Sequence, residues 1–278
     1  SFIQSSTIPL KPVVGCIISN ELFDSFPVHR FKIINGHIKE LFIDWSSKFI
    51  PVYEKISNEN ISKQIGSNMR FLPEGYEGEV CLTTNQWMQT ALEIIEQGYL
   101  LTIDYGYLKE ELYNVKRKTG TIQSYYNHSI SYNFFENVGT QDITSHVDFT
   151  EIIELGKLND ASLLGYTTQS KFIKNLGGRL YLKALKNESN KMDSFAYNNN
   201  QFAMNSLMDT NGLGNFKVLV QGKNIENQPL WGFDPENTNY LQMKSNPENI
   251  PVLYMDETYM PLLKGRYPHS QYENPKSW

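Results

Sequence analysis

A chain of 278 residues with 40% hydrophobic and 13% aromatic content can bury one large core or two smaller ones. Its formal net charge of -5, with no dense Lys/Arg cluster, excludes a protein that grips nucleic acid through a row of phosphates and leaves small molecules or proteins as partners. No apolar run approaches the ~20 residues needed to cross a bilayer, so membrane insertion is not expected, and no signal peptide is visible at the start.

Cys16 and Cys81 each sit in an apolar stretch and are expected as two reduced core thiols of a reducing compartment. The chain begins at Ser1 without a methionine, which reads as a fragment or a processed product. Pro12 to Ser19 is a continuous apolar run with β-branched residues, the pattern of a strand covered on both faces of a parallel sheet. It ends in Asn20-Glu21, with Asp24 close behind. Asn35-Gly36 between two alternating segments predicts a hairpin over 28–43, because both turn residues tolerate positive φ. Residues 52–70 are polar with one short helix, and Glu79 to Leu82 form a brief strand. From Thr83 the spacing of Trp87, Ala91, Leu92, Ile94 and Ile95 predicts an amphipathic helix closed by Gly98.

Tyr99 to Asp104 is a second buried strand that ends in an acid, and with the first it suggests a βαβ crossover in a layered α/β fold. Ligands of open α/β sheets bind outside the carboxyl ends of the strands, so Asn20, Glu21, Asp104 and Tyr105 converge on the expected crevice. Glu110 to His146 is long, aromatic and aperiodic, the profile of a functional loop region. Asp148 to Leu155 predicts a helix, Ala161 to Thr167 a strand, Gln169 to Leu176 and Arg179 to Lys186 helices, Asn198 to Asn200 a loop, and Phe216 to Gln221 the last strand. Beyond about residue 224 the chain reads as an irregular tail, and its Pro229-Leu-Trp-Gly-Phe233 run would serve a homodimer as easily as a core.

Four segments in order, NELFDSFPVHRF (20–31), LLTIDYGY (100–107), DITSHVDF (142–149) with TTQSKFIKNLG (167–177), and GLGNFKVLVQGK (212–223), resemble the MidA family of methyltransferases, relatives of the mitochondrial complex I assembly arginine methyltransferase. The resemblance implies a class I (Rossmann-like) fold, a doubly wound seven-stranded α/β sheet with lid insertions. It also implies S-adenosylmethionine as cofactor, a protein arginine as acceptor in respiratory complex assembly, and a home in the cytoplasm if bacterial or the mitochondrial matrix if eukaryotic. In that frame Val13 to Ser19 is the fourth strand, Tyr99 to Ile103 the fifth, and Ala161 to Thr167 with Phe216 to Gln221 the closing antiparallel pair. Residues 1–223 then make the C-terminal two-thirds of a methyltransferase domain with a lid at 110–148, and the N-terminal part is missing. The family's glycine-rich cofactor turn has no counterpart, since Gly212-Leu-Gly214 precedes a strand instead of following one.

A guanidinium is a weak nucleophile, and a carboxylate that grips two of its nitrogens can aim the third at a methyl donor. Glu21 is the expected clamp; Asp24 is either its partner or a capping acid. Asn20 and Glu21 are also expected to touch the cofactor. His146 is read either as a proton acceptor or as a structural histidine that starts the next helix, with Asp148 closing over the acceptor. Asn20, Tyr105 and Tyr125 are expected to line the acceptor pocket, and Asp104 either lines it too or is tied to backbone donors at the turn with Gly106. A single histidine between two acids does not make a metal site, so none is expected. His29 and His37 read as surface or edge residues, and Lys116 to Lys118 as a solvated basic face. Two other readings stay open: a non-catalytic assembly or binding module that keeps the fold, and a hydrolase using Glu21, His146 and Asp148, which lacks a G-x-S-x-G motif.

Overall fold

In the computed structural model, which describes residues 12–234 apart from 127–128, 132–133, 137, 190–191 and 227–228, the first apolar run forms β1 (Val13–Asn20). A tight 3-10 turn at Phe23–Ser25 leads into an antiparallel ribbon of β2 (His29–Ile34), β3 (His37–Trp45) and β4 (Phe49–Lys55). The β2–β3 turn is the two-residue loop foreseen: Ile34 pairs with His37, and Asn35 and Gly36 take φ of 53° and 73°. The Glu74 carboxylate accepts both turn N–H groups, at 2.9 and 3.1 Å.

Next come α1 (Glu59–Ile65), β5 (Glu77–Val80), which pairs with β2, and α2 (Thr83–Ile94). β6 (Ile95–Asp104) follows α2 directly. After it run β7 (Gly106–Tyr107), α3 (Lys109–Leu112), β8 (Gln123–Tyr126), β9 (Ser129–Ser131), β10 (Asp142–Thr144) and β11 (Val147–Asp148). The remaining elements are α4 (Phe149–Leu158), β12 (Ala161–Thr168), α5 (Gln169–Asn175), α6 (Gly178–Asn187), α7 (Ser194–Met208) and β13 (Lys217–Lys223).

Four strands make the main sheet, in the order β1-β6-β13-β12, with β1 parallel and β13 antiparallel to β6. The crossover from β1 to β6 carries the whole ribbon sheet β4-β3-β2-β5. Two apolar clusters hold this part together. One joins Phe23, Met88, Leu92, Leu100, Phe149, Ile152 and Leu219 under the main sheet; the other joins Phe31, Ile61, Ile65, Tyr76, Val80 and Leu112 behind the ribbon. Each fully buried side chain of this size contributes about 1.5–3 kcal/mol.

By internal contacts the chain forms two compact units, Ser1–Thr167 with Phe216–Pro229, and Thr168–Asn215 with the segment from Leu230. In the second unit the α5 side chains bind the end of α7: Gln169 Nε2 donates to Leu213 O at 3.1 Å and Ser170 Oγ to Met208 O at 2.7 Å. Phe172 packs edge-on against Phe233 at 5.2 Å. The tail from residue 235 onward lies outside the described residues.

Several expectations need correction. β1 is not covered on both faces: it is the outer strand of its sheet among the described residues, so Val14 and Ile18 are 70% and 64% exposed. Cys16 is exposed for the same reason, and Cys81 is half-buried; both are free thiols, but neither is a core residue. Gly98 does not end α2. It lies inside β6 at φ 144°, where a Cβ would collide with the Gly15 carbonyl across the parallel pair. Residues 52–55 belong to β4, and the aperiodic 110–146 stretch contains α3 and a small β10-β8-β9 sheet. Asn198 to Asn200 are not a loop but the middle of α7. Asp193 caps that helix at Phe195 N (3.2 Å), and the buried Asn200 accepts from the Tyr181 hydroxyl at 3.3 Å, so packing overrides weak helix propensity.

Gly98→Ala is expected to destabilise the protein by about 1–3 kcal/mol through overpacking and backbone strain. Urea unfolding measures this, with Gly212→Ala, whose nearest neighbour stands 3.6 Å from the added carbon, as a mild control.

Candidate functional site

Two parallel strands end side by side, and a buried acid joins them. The Asp104 carboxylate accepts the backbone N–H of Leu22 (3.2 Å) and Phe23 (3.0 Å) on one oxygen and that of Tyr105 (2.9 Å) on the other. Glu21 N–H meanwhile donates to Ile103 O at 3.0 Å. Burial, and then the neighbouring Asp24 charge, push the Asp104 carboxyl up to about 7 against the pull of those donors. Both of its oxygens are therefore committed to the backbone, which makes it an anchor of the crevice.

Asp24 is buried in the 3-10 turn and caps no helix. It accepts the Tyr105 hydroxyl at 2.5 Å, and its carbonyl accepts Ser145 N–H at 3.0 Å. Burial raises the Asp24 carboxyl, and burial with the Asp24 hydrogen bond raises the Tyr105 phenol, so the pair is a neutral donor beside an acid at ordinary pH. His146 stacks on Tyr105 at 5.4 Å and Tyr107 at 5.3 Å, and Tyr107 also lies under the Arg117 guanidinium at 3.8 Å. Arg117 is thus part of the site's aromatic stack and not a solvated face. Burial holds the His146 imidazole down at about 4, helped by the Arg117 and Lys217 charges, so the ring is neutral near pH 7.

Asn20 and Glu21 are exposed at the carboxyl end of β1, with Asn20 Nδ2 donating to Glu21 Oε1 at 3.2 Å. Glu21 takes a left-handed backbone, φ 47°, which a glutamate adopts only when its surroundings impose it. It borders neither of the two principal cavities. Tyr125, in β8, donates to Gln123 Oε1 at 2.9 Å and borders neither cavity. His29, on β2, is half-buried and meets Glu40 at 2.6 Å.

A small cavity of about 20 Å³ is bordered by Phe23, Gln64, Glu79, His146, Asp148 and Glu151 among others, of which the sequence had singled out His146 and Asp148 and missed Glu79, Gln64 and Glu151. Glu79, on β5, accepts Thr121 N–H at 2.8 Å and the Thr121 hydroxyl at 3.1 Å, and the same hydroxyl oxygen accepts His146 N–H at 3.0 Å. Gly120 (φ 74°) leaves the space that the Glu79 carboxylate fills. Asp148 caps α4 through Glu151 N–H at 3.2 Å, and burial pushes its carboxyl up to about 7. An acid placed directly ahead of the apolar Val80-Cys81-Leu82 run was the available signal for Glu79. Among the described residues no group of three or more His, Cys, Asp or Glu is arranged to hold a metal ion. None of the described helices is long and apolar enough to cross a membrane.

A family described as "Putative S-adenosyl-L-methionine-dependent methyltransferase" matches residues 3–167, more than half of the sequence. The chain belongs to this family. Mitochondrial protein arginine methyltransferase NDUFAF7 of Xenopus laevis is 29% identical over 184 residues, covering 62% of this chain and 38% of that protein. The human counterpart is 26% identical over 191 residues, covering 63% and 38%. A Burkholderia thailandensis protein solved with S-adenosyl-homocysteine superposes with a TM-score of 0.70 at 25% identity, covering 82% of this chain and 58% of that one. A second structure from the same bacterium gives 0.71 at 24% identity, covering 82% and 60%. The sheet order and these neighbours make the fold class I methyltransferase-like. The chain spans about two-fifths of the length of the curated relatives it matches.

Asp148 and Asp104 are held above the unfolded carboxylate value of about 4, so each favours the folded state at low pH and that contribution is lost as pH rises through about 7. His146 works the other way, losing its contribution as pH falls from about 6.5 to about 4. Asp148→Asn keeps the helix cap and removes one titration. Its stability relative to the parent is therefore expected to rise by on the order of 1–3 kcal/mol between pH 5 and pH 7.5, measured by urea unfolding.

Proposed function

We propose that this chain forms the strand-end part of an S-adenosylmethionine-dependent methyltransferase whose acceptor is a nitrogen of a protein side chain, with arginine the leading choice. The observation that carries the reading is the Asn20-Glu21 step, whose left-handed turn at Glu21 leads straight into the Asp24–Tyr105–Asp104 cluster at the carboxyl ends of two adjacent parallel strands. Strand ends of this kind are where open α/β sheets bind ligands. Family membership and the names of the curated relatives support the chemistry.

The donor set suits part of the cofactor. A carboxylate and a carboxamide, both exposed, complement the ammonium and hydroxyl groups of S-adenosylmethionine, so Asn20 and Glu21 would hold that side of it. A glycine-rich turn for its methionine part is not found among the described residues, where Gly212 precedes and Gly214 lies within the 3-10 turn Leu213–Asn215 ahead of β13. When bound, the cofactor supplies a methyl group on a sulfonium. The chain's residues supply orientation: Glu21 receives the cationic acceptor, the Asp24–Tyr105 pair and His146 wall the crevice, and the β8–β10 region with Tyr125 covers it. Orientation alone is worth roughly 7–11 kcal/mol in such displacements. The relatives named above are mitochondrial proteins, and a mitochondrial matrix or bacterial cytoplasmic setting suits two free thiols.

Calorimetry with S-adenosylmethionine, on this chain and on one extended ahead of Ser1, is expected to show binding at least in the extended form. Glu21→Gln there should lower methyl transfer to an arginine-containing protein about 100-fold, typical of removing one electrostatic contact, and weaken cofactor binding as well. An extended protein that ignores the cofactor would sink the enzyme reading and favour a binding module. Full activity in Glu21→Gln would remove Glu21 from the site.

A further inference from the structure

The Glu79–His146–Asp148 cavity has a composition that the crevice mechanism does not use. Glu79 and Asp148 are each only 8% exposed, and each keeps one carboxylate oxygen, Oε1 and Oδ2, with no hydrogen-bond partner among the described residues. His146 Nδ1 is buried and equally without one. Its ring is neutral near pH 7, and in the tautomer with the proton on Nε2 that nitrogen accepts. Three acceptor positions without donors thus border one cavity of about 20 Å³. That volume is right for a single nitrogen and its hydrogens, about the size of one water.

A water has two donors and two lone pairs, so it leaves one of three acceptors unserved unless a carboxyl carries a proton. A cationic nitrogen has only donors: an ammonium offers three, and a guanidinium offers them from a planar fork. The cavity also has an approach. A polar cleft of about 500 Å³ lies beside it, and Gln64 and Glu151 border both spaces. The cleft carries the carboxamides of Asn58, Asn60, Asn85 and Gln86, which can hydrogen-bond an extended main chain, and the Glu151 and Glu154 carboxylates, which favour a cation. Lys109, which borders the cleft, sits 3.6 and 3.7 Å from those two carboxylates.

We propose that this cavity receives the terminal nitrogen of a cationic side chain of the partner protein, delivered along the polar cleft past Gln64 and Glu151 and gripped by Glu79 and Asp148 with His146 as third acceptor. The assignment rests on the reading of a protein-nitrogen methyltransferase and adds a second anchor on the substrate chain, a cationic end other than the acceptor that Glu21 receives. It also sorts the acids by strength of grip. Glu21 is exposed and its attraction is screened by water, whereas Glu79 and Asp148 act at low local dielectric. The charges facing the cluster are Arg30 toward Glu79, Lys109 and Glu151 toward Asp148, and Arg117 and Lys217 toward His146. Burial raises both carboxyls, so a cation that binds them expels protons.

The test is calorimetric titration of the chain with methylammonium and, separately, methylguanidinium at about pH 6.5 in two buffers of different ionisation heat. Saturable binding of one of them with proton release, weakened at least 10-fold in both Glu79→Gln and Asp148→Asn, is the expected result. The methylammonium arm points to a lysine-like end and the methylguanidinium arm to an arginine-like end. Each variant keeps its structural bonds, Glu79 to Thr121 and Asp148 to the α4 N-terminus, and circular dichroism checks that it is folded. If a variant is unfolded, proton release by the parent protein decides alone. Absence of binding by either cation, or binding without proton release that both folded variants retain, overturns the proposal. None of these readouts uses methyl transfer, so an inactive protein that still binds the cation refutes the enzyme reading without touching this one.

Discussion

The site is organised by one buried carboxylate. Asp104 ends the central β6 strand and spends its oxygens on three backbone N–H groups, two of them from the segment that has just left β1. A buried donor left unserved costs about 1–3 kcal/mol, so the chain after β1 is pulled across the top of β6 instead of running on as a strand. The Glu21 N–H is taken by Ile103 and the Leu22 N–H by Asp104, and between these two fixed points the backbone has to pass through the left-handed region at Glu21. Its strain is therefore imposed by the anchor, and the same turn lowers Phe23 into the core and Asp24 onto the Tyr105 hydroxyl.

Around that anchor the titratable groups sort by surroundings. Asp24, Glu79, Asp104 and Asp148 are all raised, chiefly by burial, and His146 is lowered by it. Their common direction means that burial disfavours the charged form of each. The basic groups stand one layer out, with Arg117 laid over Tyr107 and Lys109 over Glu151. Such an arrangement exchanges protons for a cation with little movement of the backbone, and perturbed acids gathered in this way mark functional regions.

Much of the frame was legible in the sequence for physical reasons that can be named. Period-two alternation around Asn35-Gly36 has one low-energy solution, and the hairpin follows. The apolar runs that end at Asn20 and Asp104 gave the parallel pair, and the resemblance gave the order of the sheet. What stayed hidden depends on contacts between distant segments. Exposure of Val14 and Cys16 is decided by which strand flanks β1, and Gly98 looks like a helix stop until Gly15 is seen against it. The α7 helix is held by Asp193 and by the Asn200–Tyr181 bond, neither of which has a local pattern. In the site, Asp24, Tyr105, His146 and Asp148 were singled out from the sequence, and the first three lie in contact while the last two border one cavity; Glu79 was read as an ordinary strand residue because its partner Thr121 is 42 positions away.

The open side of β1 has a consequence for the isolated polypeptide. A strand that forms the margin of its sheet among the described residues, with exposed valine and isoleucine along it, is a template onto which another extended chain can zip. Concentrated stocks should therefore self-associate in register along this margin. A lysine in place of Val14 would act as a gatekeeper there, because each added copy would have to bury its charge.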